Sequence, residues 1–263
     1  MTRMPQTSGY RERNSTADRA LNVLQMFTEE RPELSAIDVA DNLGVARSTA
    51  YRYLQTLVQS GFLAESGRGS FRLGLYVLEL ARIARKGFGL TELCVPVMRE
   101  LAEQFHQTVL LTKLMGNAVV CLEREEAREQ YVRLSYERGS VLDINAGASA
   151  LVLLSAMEDD QARSILASTT LKQFTPNTLI DAERIVARLA QIRSDGFAIS
   201  TGEVDPTAMG IAAPIRRENG EVIAAISVVL IRSLVAESQI ESIVEALVAA
   251  AAALSAQAAL LEL

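Results

Sequence analysis

The chain holds one histidine, His106, and two cysteines, Cys94 and Cys121, in 263 residues. A single imidazole argues against a histidine-built metal centre. Neither cysteine has metal-ligand spacing, so both are expected to be buried free thiols, and no metal or cofactor is expected. The N-terminal stretch "MTRMPQTSGYRERNSTADRA" lacks a signal peptide's apolar core, which predicts a chain that stays in the cytoplasm. Uninterrupted apolar runs of spanning length are missing except near the C-terminus. There, "EALVAAAAALSAQAALLEL" repeats at helical spacing in weakly apolar alanine, which predicts a terminal helix over 235–262 and no membrane partner. Periodicity leaves open whether that helix covers a sheet or joins subunits. No nucleophile-elbow motif is present. A Ser-His-Asp arrangement would need His106 to approach Ser149 or Ser155 with an acid behind it. The run Glu158-Asp159-Asp160 reads as helix N-terminal charge. The chain is therefore read as a non-enzyme.

What is present is unevenly placed. The length favours two domains, each able to bury a core. Net charge is −6, yet residues 1–85 carry 11 Lys and Arg against nine Asp and Glu, while the rest carries 15 against 23. Within "GVARSTAYRYLQTLVQSGFLAESGRGSFRLG", residues 44–74, Arg47, Arg52, Arg68 and Arg72 face one acid, Glu65. One basic module in an acidic protein points to a polyanionic partner for that module alone.

Residues 16–30 place Ala20, Val23, Leu24 and Phe27 at helical spacing behind a Ser15 or Thr16 cap. A second helix opens at Ser35 and stops at Gly44. A third, over 46–60, gathers Ala50, Tyr53, Leu54 and Leu57 on one side. Opposite lie Ser48, Arg52, Gln55 and Gln59, with Tyr51 and Thr56 on the flanks. Arginine, glutamine and hydroxyl side chains suit major-groove edges and phosphates. "FLAE" and "SFRL" then read as two strands around "SGRG", with Arg68 at the tip. This order defines a winged helix-turn-helix over 15–73, after a flexible arm over 1–14. The expected DNA-binding residues are Arg47, Ser48, Thr49, Tyr51, Arg52, Gln55 and Arg68. Two other readings stay open: a solvated arginine face, and a winged helix that grips protein.

"LSAIDVADNLGVARSTAYRYLQTLVQSGFL" with "FRLG" resembles the winged helix of the IclR family of bacterial transcription regulators. "GSVLDINAGASALVLLSAM" and "IRSDGFAISTGEVDPTAMGIAAPIRRENGEVIAAISVV" resemble the family's effector-domain signatures. The resemblance implies double-stranded operator DNA as partner and a small organic effector bound by the second domain. It also implies a homodimer, paired into a homotetramer, that acts as repressor or activator.

Residues 74–89 read as a linker helix that breaks at Gly87 and Gly89, a hinge or an inert spacer. Residues 90–263 form the second domain. It reads as a helix near 90–105, a hairpin around Gly116-Asn117, and a third strand in "QYVRLSY". Helices follow around 147–157, 159–167 and 181–195, then three more strands, giving an α+β fold with an antiparallel sheet. The resemblance sharpens this to a GAF/PAS-like effector-binding domain. Small residues from Ala146 to Ala150 would let a ligand approach amides at a helix N-terminus, which suits a carboxylate, or would merely permit close packing.

Aligned on the family's motifs, effector-binding positions fall on Tyr131, Leu134, Leu142, Ala148, Ser149, Ser200, Gly210, Ser227 and Val229. The chain departs from the common pattern at Ala150 and Leu151, where glycine and lysine are usual, and at Ser200, where many members carry an acid. No arginine or lysine maps onto the pocket. The expected ligand is a small, mainly apolar or aromatic acid, amide or related catabolite.

Overall fold

The structure, a computed structural model, describes residues 15–28, 30–87, 89–127 and 137–260. Two compact units emerge, Met1–Ala84 and Arg85–Leu263.

In the first unit, α1 (Ser15–Gln25) ends earlier than its apolar spacing suggests. Thr28 and Arg31 exchange backbone hydrogen bonds of 3.3 and 3.1 Å, closing a turn. Pro32 then holds the chain extended into β1 (Glu33–Ser35), a strand too short to show alternation in the sequence. Ser35 caps α2 (Ala36–Leu43) in a reciprocal capping box with Asp38, and Gly44 ends that helix at φ 62°. The Ser35 backbone N–H donates to the Asp38 carboxylate at 2.7 Å. That bond, ahead of the Ser35 hydroxyl, holds the carboxyl below its ordinary value of 3.8.

Next come α3 (Arg47–Gln59), β2 (Leu63–Gly67) and β3 (Ser70–Leu73). The three strands form an antiparallel sheet in the order β1-β3-β2. Val23, Leu34, Val39, Ala50, Leu54, Leu57, Leu63 and Phe71 fill the core between helices and sheet. The wing's tip bends through left-handed backbone at Gly67, Arg68 and Gly69. Gly74, just beyond the wing, donates its N–H to the Phe62 carbonyl at 2.7 Å. A Cβ there would stand 2.2 Å from the Gly61 carbonyl oxygen, so only glycine fits. α4 (Leu75–Gly87) follows, and the division between the two units falls within it, after Ala84.

The first helix wholly within the second unit is α5 (Leu90–Phe105), closed by His106 in left-handed conformation. The elements after it are β4 (Thr108–Met115), β5 (Ala118–Glu125), β6 (Val141–Leu142), α6 (Ala148–Ser155), α7 (Asp159–Ser168) and α8 (Ala182–Asp195). β7 (Ala198–Thr201), β8 (Ala208–Arg216), β9 (Val222–Ile231) and α9 (Glu237–Leu260) complete it. The expected strand "QYVRLSY" lies outside the described residues.

The six strands form one antiparallel sheet in the order β6-β5-β4-β9-β8-β7. Strand alternation divides its two faces. Val109, Leu111, Ile211, Ala213, Ile226, Val228 and Leu230 pack with α5 and α9. Val119, Ala198, Ala212 and Ala225 pack under α6 and α8. α9 is long and apolar enough to cross a bilayer by length and composition alone. Its Ile240, Ile243, Leu247, Ala251, Leu254 and Ala258 nevertheless lie buried in the core at the spacing of a helix laid on a sheet.

Candidate functional site

Docking of α3 through Ala50, Leu54 and Leu57 turns its opposite side outward. Arg47, Ser48, Tyr51 and Arg52 are exposed, and Thr49 and Gln55 are half-buried. The helix begins after Ala46 with no side-chain cap. An arginine in the first turn opposes the helix dipole, so this end is left electropositive and open to an anion. Tyr51 packs edge-on against Phe71 of β3, ring centroids 6.0 Å apart at 72°. Gln55 donates through Nε2 to the Tyr51 hydroxyl at 3.0 Å and to Glu65 Oε1 on β2 at 2.8 Å. Arg68 stands exposed at the wing tip at φ 51°. Helix and wing thus share one surface, tied by the Gln55–Glu65 bond. Glu65 escaped the sequence reading because it stood out only as the one acid among arginines; its partner lies ten residues earlier on another element.

The second candidate surface is the α6-covered face of the large sheet. Ser149 Oγ donates to Ser227 Oγ at 2.9 Å, and both are buried. Register places Ser200 opposite Gly210 and Gly210 opposite Val229. Ser227 stands between Ala212 on β8 and Leu110 on β4. Gly210 admits α6 closely, since a Cβ there would lie 3.4 Å from Ala148 Cβ. Ala148, Ser149, Ser200, Gly210, Ser227 and Val229 therefore share one neighbourhood. Leu142, on the β6 edge of the sheet opposite the β7 edge that carries Ser200, packs against the same α6-covered cluster that holds Ala148 and Val119. Tyr131 and Leu134 lie outside the described residues.

Several features of this face had no sequence signal. Leu110, Cys121 and Val229 form a small buried apolar cluster apart from the two main cores. Burial pushes the Cys121 thiol up to about 11. The amide of Gly147, at the start of α6, already donates to Glu203 Oε2 at 3.3 Å, and Glu203 in turn pairs with Arg188 at 2.5 Å. The chain's own carboxylate therefore occupies part of the helix end that small residues had suggested for a ligand. Arg124 stands opposite Leu110, with its side chain only 10% exposed. It is neutralised by Glu126 and Glu137, although its buried Nε has no partner. His106 is exposed at the end of α5. Among the described residues, no group of three or more His, Cys, Asp and Glu could hold a metal ion.

One unit thus offers a surface shaped for a polyanion, and the other a helix-covered face with buried hydroxyls. That separation is characteristic of DNA-binding regulators that respond to a ligand. Residues 84–256 match the family described as bacterial transcriptional regulator IclR C-terminal, and residues 16–67 match the IclR helix-turn-helix domain. The chain belongs to the IclR family and is a transcriptional regulator with an effector-binding domain, not an enzyme. It is 28% identical over 91% of its length, and 95% of the relative's, to the HTH-type transcriptional regulator XynR of Escherichia coli. An IclR-type regulator from Silicibacter sp. TM1040 superposes with TM-score 0.82 at 29% identity, covering 93% of this chain and 96% of that one. An IclR homologue from Microbacterium hydrocarbonoxydans, crystallised with 4-hydroxybenzoate, gives TM-score 0.77 at 29% identity, covering 92% and 98%.

Proposed function

We propose that α3 lies in the major groove of an operator duplex, with Arg47, Ser48, Thr49, Tyr51, Arg52 and Gln55 toward bases and phosphates. Arg68 reaches the backbone or minor groove from the wing. The observation that carries this reading is the uncapped, arginine-bearing outer side of α3, with Arg47 and Arg52 both exposed. On this reading the DNA-binding domain runs over 15–73, a linker helix and hinge over 74–89, and the effector domain over 90–263. A GAF/PAS-like assignment is supported by the strand order β5-β4-β9-β8-β7. The effector sits against Ser149, Ser227, Ser200 and Val229. Both nearby arginines are already neutralised by carboxylates, which favours a small apolar or aromatic acid or amide over a polyanion. The relative that holds 4-hydroxybenzoate supports an aromatic acid.

Two copies are needed to span successive major grooves. The exposed apolar residues of α4, with Leu75 82% and Leu78 66% accessible alongside Ile83, support a homodimer through that helix. Pairing of dimers into tetramers, action as a repressor, and a cytoplasmic location follow from the same reading. A gel shift against duplexes from upstream of its own gene and neighbouring operons tests it. Binding that weakens as salt rises is expected, and absence of binding even at low salt would leave the wing as a protein-contact module.

A further inference from the structure

We infer that Glu65 sets what Gln55 can read, so that α3 selects a base that presents an amino group in the major groove, adenine or cytosine, and does not separate the two at that position. This rests on the reading of α3 as the DNA-reading helix. A glutamine side chain has two donor hydrogens on Nε2 and an acceptor in Oε1. Here one hydrogen goes to the Tyr51 hydroxyl at 3.0 Å and the other to Glu65 Oε1 at 2.8 Å. The amide orientation is fixed chemically, because a carboxylate only accepts and so must face the nitrogen. Oε1 is left as the amide's sole free function, with no hydrogen bond among the described residues.

A free glutamine reads adenine through two bonds at once, donating to N7 and accepting from N6. With both donors spent, only the second bond remains. In the major groove, adenine N6 and cytosine N4 are the amino groups that can make it, whereas guanine and thymine present acceptors there. The hold is built from three elements. Phe71 of β3 braces the Tyr51 ring, Tyr51 and Gln55 lie four residues apart on α3, and Glu65 faces them from β2. Glu65 stands opposite Phe71 in the hairpin, which places its side chain on the helix-facing side. It is a positioning residue that acts through Gln55.

The test is selection from a randomised duplex library with the full chain, sequencing the bound pool for the wild type and for Gln55→Ala, Glu65→Ala, Glu65→Gln and Tyr51→Phe. Gln55→Ala identifies the position, as the one per half-site where preference is lost. The wild type is expected to accept adenine and cytosine there about equally. Glu65→Ala, and independently Tyr51→Phe, should release a donor and shift the position to adenine over cytosine by roughly tenfold. Glu65→Gln still offers an acceptor to Nε2, so it should restore the wild-type profile while binding all duplexes more tightly. A merely structural role for Glu65 would lower affinity without changing the base chosen. The inference is overturned if the wild type already selects adenine alone at that position. It is also overturned if Gln55→Ala alters no position, or if Glu65→Ala and Tyr51→Phe keep the wild-type profile. Failure of the wild type to bind any duplex would instead remove the reading of α3 on which the inference stands.

Discussion

Arg52 and Asp38 show how differently a charge works at each end of the same small unit. Arg52 is exposed on the outer side of α3, where its charge does nothing for packing. Arg52→Ala should therefore leave thermal stability unchanged while weakening operator binding by about 1–3 kcal/mol and lowering the salt slope by about one. Titrating gel shifts at several salt concentrations measures both, and an unchanged slope would remove Arg52 from the duplex. Asp38 is the case where a charge serves the fold. Its carboxylate accepts from the Ser35 backbone and hydroxyl and pairs with Arg31, and its proton affinity is held below the ordinary value. A folded value below the unfolded one adds stability that is present above the ordinary carboxylate range and lost as pH falls through the folded value. Asp38→Asn should accordingly lower the melting temperature at pH 7, with the gap to wild type closing as pH drops below the ordinary carboxylate range. Ser35→Ala, which removes the cap hydroxyl, should cost about 1 kcal/mol at neutral pH.

Among the elements, those with their own punctuation were legible in the sequence and those made by distant contacts were not. α2 announces itself by Ser35 and Gly44, and the wing by Gly67 and Gly69, because caps and left-handed turns demand particular residues locally. β1 and β6, three and two residues long, exist only because a partner strand is there to pair with them. α6 is buried all round, so it carries no amphipathic signal, and the small residues were its only mark. The Ser149–Ser227 bond joins positions 78 residues apart, and the Gln55–Glu65 bond crosses from helix to hairpin. Motif alignment reached Ser149 and Ser227; nothing local could reach Glu65, Glu203 or the Cys121 cluster. Two element-scale outcomes follow. Gly74→Ala drives a methyl group into the Gly61 carbonyl and should cost roughly 2–4 kcal/mol, seen as an early loss of the first unit's melting transition. Leu78→Asp puts a charge on the exposed apolar side of α4 and should weaken self-association by about tenfold or more in sedimentation, with an unchanged dimer constant ruling that surface out.

At the scale of the whole molecule, regulation requires that two surfaces on separate units exchange free energy. A ligand that touches only the second unit alters operator affinity only if it binds two states of the chain unequally. Linkage then fixes a reciprocal result: the factor by which effector changes operator affinity equals the factor by which operator changes effector affinity. For couplings of about 1–3 kcal/mol that factor lies at roughly five- to 150-fold. Ser149 offers a way to break the circuit at one end. It lies on α6, buried against Ser227 and far in sequence from the winged helix, so Ser149→Trp puts an indole at the hydroxyl pair while changing no residue of the winged helix. Calorimetry with an aromatic acid such as 4-hydroxybenzoate as probe should show its binding lost in the variant, while gel shifts without ligand match the wild type. In the wild type, operator affinity with saturating ligand and ligand affinity with saturating operator should move by the same factor. Ser149→Trp that still binds the probe and still responds to it would place the effector somewhere other than the Ser149–Ser227 face.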